Sequence, residues 1–256
     1  MPHVQFSEYK DLYKDIFELK REDGICELKI LPGLMFHHDM GAVLRHLGND
    51  PENEVIIITG SGQYFITPIP EEYKNQPKLP LERFPMYMNT QYPLYREGVE
   101  LMMNVVHEIH VPTIGAMNGP APAMSALALL CDITICSETT IIEEAHFPSS
   151  LVPADGNWQV IMGLVGAKRA NYLGYLNKGI DADTALAWGL VNEVVPFESV
   201  NGRAWEIARE IMKTDRYCRR LTHDIFREPY RRMLQNLPMQ FAAEAWANAL
   251  VQSTRE

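Results

Sequence analysis

Residues 112–142 read PTIGAMNGPAPAMSALALLCDITICSETTII, and their pattern decides the fold class. Thr113 to Met117 is a short apolar run stopped by Asn118-Gly119-Pro120, a turn-forming triplet, which predicts a strand entering a turn. The apolar run over residues 123–136 is broken by Asp132 and falls short of the roughly 20 residues that span a bilayer. Residues 133–136 and Ile141-Ile142 then read as further short strands.

Working outward, residues 23–31 (DGICELKIL) alternate in the manner of a strand, and residues 39–47 have helical spacing. Residues 55–59 (VIIIT) are continuously apolar and end at Gly60-Ser61-Gly62, as expected of a strand buried on both faces. Residues 93–110 carry a helical pattern. The proline-rich segment 67–93 before them reads as a long loop. After Asp155, residues 158–164, 168–176 and 183–189 read as helices, and 191–195 as a last strand closed by Pro196. From Glu198 onward the chain is helical, interrupted near Pro229 and Pro238. Strands alternating with helices predict an α/β architecture around a largely parallel sheet.

The 256 residues carry a formal net charge of −10, distributed along the chain, which disfavours nucleic acid and anionic membrane surfaces as partners. The opening MPHVQFSEYKDLYK is polar and charged and does not read as a secretory leader. Cys26, Cys131, Cys136 and Cys218 lack metal or redox spacing, so a reducing cytoplasm is the expectation.

Residues 145–156, AHFPSSLVPADG, concentrate a histidine, two serines, two prolines and an aspartate. Read alone, the segment fits an ordinary turn, a metal site or half of an active site. Asp155 before Gly156 also suits a helix N-cap. Glu143-Glu144-Ala145-His146 hints at metal ligation, but no second histidine stands at ligand spacing. His37-His38 reads as a loop-to-helix junction, and Asp132 as structural.

Residues 112–142, with Asn-Gly, a small-residue turn, a buried helix and Cys-Asp-Ile, resemble the core of the crotonase (enoyl-CoA hydratase/isomerase) superfamily. Residues 179–196, GIDADTALAWGLVNEVVP, resemble the same superfamily's helix-then-strand. The resemblance implies a crotonase-like spiral of ββα turns over residues 1–197 and a C-terminal helical trimerisation region over 198–256. It also implies a homo-oligomer, a trimer or a dimer of trimers.

Departures from the family pattern narrow the function. CoA-using members carry a Ser/Ala-Ala-Gly-Ala-Asp turn after the second strand; here Phe65-Ile66-Thr67-Pro68-Ile69-Pro70 stands there. The usual Gly-Gly-Gly run is replaced by Pro122-Ala123-Met124-Ser125. AHFPSSLVPADG is instead similar to the His-Phe-Pro-Ser…Val-Pro…Asp-Gly segment of 6-oxocamphor hydrolase and related β-diketone hydrolases. Those enzymes cleave a carbon–carbon bond between two carbonyls without a cofactor.

That likeness implies His146 as catalytic base, Asp155 as its partner carboxylate and Glu244, in AAEAW, as a third catalytic residue. A neutral histidine can take a proton from water near pH 7 while a carboxylate on its other nitrogen fixes the tautomer. Backbone donors for the departing enolate are expected at Ile69 and Ala123. Met124 and Phe36 occupy places where the branch has a histidine and a tryptophan. The expected partner is a small-molecule diketone, with no metal. The rival enzymatic reading is a divergent CoA-thioester hydratase, isomerase or hydrolase. A non-catalytic oligomeric scaffold or RNA binder is the third.

Overall fold

The computed structural model describes residues 4–33, 37–68, 84–176 and 178–254. In chain order the strands are β1 (Phe17–Glu22), β2 (Ile25–Ile30), β3 (Val55–Gly60), β4 (Thr113–Met117), β5 (Ile133–Ser137), β6 (Ile141–Ile142), β7 (Ile180–Asp181) and β8 (Glu193–Val195). The described helices are α1 (Phe6–Tyr9), α2 (His37–Asn49), α3 (Phe84–His107), α4 (Ala126–Leu129), α5 (Asn157–Val165) and α6 (Ala167–Leu176). They continue with α7 (Ala182–Trp188), α8 (Val200–Met212), α9 (Arg216–Phe226), α10 (Glu228–Met233) and α11 (Leu237–Thr254).

The main sheet runs β1-β2-β3-β4-β5-β8, parallel throughout except for the antiparallel β1–β2 hairpin. Every residue of β3 and β4 is buried, because helices cover both faces of the sheet. The two-residue period of β3 is visible in where its side chains go. Ile56 and Ile58 join the large core with α2, α3 and α4, whereas Val55 and Ile57 meet Val200, Ala204, Trp205 and Ala208 of α8 on the opposite face. Each fully buried Ile or Leu contributes about 1.5–3 kcal/mol of hydrophobic stabilisation.

The turns after β3 and β4 are locked together. Asn118 accepts the Gly60 N–H through Oδ1 at 3.0 Å and donates from Nδ2 to the Gly62 carbonyl at 2.8 Å. Behind them Asp132 accepts both the N–H and the hydroxyl of Thr113, at 2.7 and 2.8 Å, and pairs with His223 of α9 at 2.9 Å. The C-terminal helices are thereby tied to the entry ends of β4 and β5.

Two sequence expectations need correction. The hairpin partner β1 escaped the sequence reading. The segment expected to be loop over 67–93 is helical from Phe84 onward, since α3 begins there and not at Pro93. No described helix is long and apolar enough to cross a membrane.

Candidate active site

The site grows from the exit of β6. Ala121 bridges Ile142, donating to the Ile141 carbonyl at 2.9 Å and accepting from the Glu143 N–H at 3.0 Å. From this bridge onward burial alternates along the chain: Ile142 and Glu144 are buried while Ile141, Glu143 and Ala145 are exposed. His146, next in that series, is half-buried and opens a single helical turn, Phe147–Ser149, with Pro148 inside it. The chain then crosses to Asp155, just before α5.

Glu144 occupies the ring nitrogen expected to be held by Asp155. Its Oε1 lies 2.5 Å from His146 Nδ1 and also accepts the His146 backbone N–H at 2.9 Å. Asp155 and Glu244 both face the other nitrogen, Nε2, with carboxylate oxygens at 3.8 and 3.7 Å. The second oxygen of each is anchored by a backbone N–H, Asp155 by Asn157 at 3.0 Å and Glu244 by Ala154 at 3.2 Å. Glu244 reaches this place within its own chain, as Phe241 one turn earlier on α11 packs its ring 5.9 Å from that of Tyr95 on α3.

Asn157 knits the centre together. Its Nδ2 donates to Glu144 Oε2 at 3.1 Å, and its Oδ1 accepts from the Ser125 hydroxyl at 2.9 Å and the Ala126 N–H at 2.8 Å. The turn at Ala123 and Met124 is thus joined to the carboxylate behind the histidine. Met124 is buried and left-handed at φ 55°, a conformation that favours glycine.

Ionisation follows from this crowding. Burial alone would lower the His146 pKa, but the Glu144 hydrogen bond, then the charges of Asp155, Glu144 and Glu244, raise it to about 10. Burial raises Glu244 to about 7, against the opposing charge of His146. Burial likewise raises Asp155. Glu144 goes down despite burial, because His146 donates to it. His37, at the start of α2, is lowered by burial and by the His146 charge, with Asp155 and Glu97 opposing.

Of the sequence candidates, His146, Asp155 and Glu244 meet in one place, with Ala123 and Met124 on the turn joined to it through Ser125 and Ala126. Ile69 and Phe36 lie outside the described residues. Glu144, Asn157 and His37 were missed as site residues. Glu144, His146 and Asp155 present ligand atoms within 4.8 Å of one another, the one such group among the described residues. Their donor atoms are turned on each other, Nδ1 already being paired with Glu144.

Among solved structures the chain is similar to a β-diketone hydrolase from the cyanobacterium Anabaena sp. PCC 7120 bound to (S)-3-oxocyclohexyl acetic acid. The match has a TM-score of 0.83 and 25% identity, covering 96% of this chain and 97% of that one. An enoyl-CoA hydratase/isomerase from Mycobacterium paratuberculosis shares the fold with a TM-score of 0.82 at 19% identity, covering 93% of this chain and 95% of the other. In sequence, the chain is 28% identical to a probable peroxisomal enoyl-CoA hydratase 1 of Arabidopsis thaliana, over 69% of this chain and 62% of the relative. It is 25% identical to 4-chlorobenzoyl coenzyme A dehalogenase-1 of Arthrobacter sp, over 66% of this chain and 59% of the relative. The matched part is thus about three fifths of those relatives' length. The enoyl-CoA hydratase/isomerase family model matches residues 33–255, and the chain belongs to that family, the crotonase superfamily.

Proposed function

We propose that the protein is a cofactor-independent hydrolase that cleaves a carbon–carbon bond of a cyclic or bicyclic β-diketone by a retro-Claisen reaction, giving a keto acid. His146, Asp155 and Glu244 are its catalytic residues. The observation carrying this reading is the half-buried imidazole of His146 with two buried carboxylates converging on its Nε2. Such a centre has what a diketone needs: proton acceptors for water, a proton donor for developing charge, and no demand for a metal. The likeness to the cyanobacterial β-diketone hydrolase supports the same choice. The working unit is proposed to be a cytoplasmic homo-oligomer. The exposed Tyr217, Leu221, Ile225 and Phe226 on α9 are consistent with a subunit contact.

The second reading, a divergent CoA-thioester hydratase, isomerase or hydrolase, is favoured by the names of the sequence relatives. Against it, Phe65-Ile66-Thr67-Pro68-Ile69-Pro70 and Pro122-Ala123-Met124-Ser125 stand where the family resemblance expects the two turns of CoA-using members. One experiment separates them. The protein is incubated with a panel of bicyclic 1,3-diketones while diketone loss and keto-acid formation are followed, and CoA binding is measured in parallel. Diketone turnover that His146→Ala lowers by at least about a hundredfold, with the fold retained, is the expected result. Absence of turnover across the panel together with tight CoA binding would overturn the proposal.

A further inference from the structure

We propose that His146 enters the reaction as a held imidazolium that stabilises the oxyanion and the enolate, and that the base is the Asp155–Glu244 carboxylate pair rather than the ring. The proposal rests on the β-diketone hydrolase reading and reverses the division of labour that the sequence suggests. Its ground is geometric. Glu144 meets Nδ1 at 2.5 Å, so that nitrogen carries a proton directed at a carboxylate whose other oxygen is fixed by Asn157. Nε2 faces carboxylate oxygens at 3.8 and 3.7 Å. A neutral ring protonated on Nδ1 would aim its lone pair at those two carboxylates, whereas an imidazolium aims N–H at them. The groups facing His146 are Glu144, Asp155, Glu244 and, through its charge, His37.

Two acids converging on one nitrogen cannot both ionise cheaply, so Asp155 and Glu244 titrate as a pair and retain a proton between them. The raised pKa of each agrees with this. Glu144 is a positioning residue: it is hydrogen-bonded to the ring, to the His146 backbone N–H and to Asn157, and it acts on the reaction through the charge it sets on the ring.

The chemistry balances without a co-reactant other than water. The ionised member of the pair takes a proton from water as the oxygen bonds to one carbonyl carbon, and that carbonyl becomes an alkoxide facing Nε2–H. Collapse of the alkoxide reforms C=O as a carboxylic acid and breaks the carbon–carbon bond. The bonding pair moves into the second carbonyl as an enolate, again countered by the imidazolium. The pair returns its proton to the enolate carbon, and the carboxylic acid product loses its own proton to solvent.

The test is nitrogen-15 NMR of the histidine-labelled full chain across pH, with His146 assigned by His146→Ala. Both His146 ring nitrogens are expected to be protonated at pH 8 in the free protein. In Glu144→Gln the His146 midpoint falls, and the alkaline limb of kcat/KM for diketone cleavage falls with it, by about tenfold in rate per unit of displacement on that limb. Asp155→Asn and Glu244→Gln remove the acidic limb or depress kcat while His146 stays protonated. A neutral His146 ring at pH 8 in the unmodified chain overturns the proposal whether or not any diketone is cleaved. So does a Glu144→Gln enzyme faster than the unmodified one at pH 7, since that is the behaviour of a histidine base set free. An imidazolium in a protein that turns over no diketone would sink the hydrolase reading alone.

Discussion

Asn157 offers the sharpest test of how the centre is built, because one buried side chain meets three partners. Replacing it with alanine removes a hydrogen bond to the ionised Glu144, worth about 1.5–3 kcal/mol, and two to neutral donors, worth about 1 kcal/mol each. Water entering the vacated space recovers part of this, so we expect Asn157→Ala to lose about 3 kcal/mol, read as a fall in unfolding free energy in urea. Asn157→Asp sharpens the test through pH. It keeps the acceptor for Ser125 and Ala126 but sets a carboxylate oxygen where Nδ2 now stands, 3.1 Å from Glu144 Oε2. Folding then raises the affinity of that acid pair for a proton, so the folded chain binds more protons than the unfolded one. The deficit of Asn157→Asp is therefore largest at neutral pH and shrinks as pH falls through the raised folded value. A loss below about 1 kcal/mol for Asn157→Ala, or a pH-independent deficit for Asn157→Asp, would refute the network.

Three further outcomes follow from the packing and the site. A Cβ added at Gly115 would lie 2.5 Å from the Ala128 carbonyl oxygen, so Gly115→Ala should push α4 off β4 and cost about 2–3 kcal/mol in thermal unfolding. Asp132→Asn should destabilise by about 2–3 kcal/mol, because it disturbs the largely buried carboxylate that hydrogen-bonds His223 and both donors of Thr113. The His223 hydrogen bond holds Asp132 below the ordinary carboxylate range even against burial. Its stabilisation is thus whole above about pH 4 and lost as pH falls through the lower folded value, so acid unfolding of the variant should be less steep there. Exhaustive dialysis against a chelator should leave the rate of diketone cleavage unchanged if the proposed cofactor-free chemistry is right.

Much of the fold was legible because its signals are local. Continuous apolar runs in β3 and β4 belong to strands covered on both sides, and the breaks at Gly60 and Asn118-Gly119-Pro120 coincide with the observed turns. The hairpin partner β1 was missed although Asp23-Gly24 is a strong two-residue turn signal, with φ of 50° and 83° in the structure. The mixed charges of FELKRE hid it, since β1 is an edge strand whose outward side chains are solvated. Prolines misled in the other direction at α3: a proline-rich stretch reads as loop, yet a helix accepts proline in its first turn, where Pro85 stands.

The site was half legible for a different reason. The likeness to β-diketone hydrolases singled out His146, Asp155 and Glu244, but which nitrogen each carboxylate meets depends on backbone direction, and a motif match carries none. The missing signal was a short one. Ile142, Glu144 and His146 form a period of two running on from β6, and that period puts Glu144 and His146 on one inward face only two residues apart. Read that way, Glu144 is the nearest possible partner of the ring, and Asp155 is released to face Nε2 beside Glu244. A histidine with a carboxylate behind it is a base in waiting when its other nitrogen faces only water or substrate. Add two more buried carboxylates at the front and the same ring becomes a fixed positive charge. The sign of that difference is what the wild-type His146 titration reads directly: a midpoint near 10 belongs to the ring held by Glu144, Asp155 and Glu244, and a midpoint near 6.5 would return the proton-accepting role to His146.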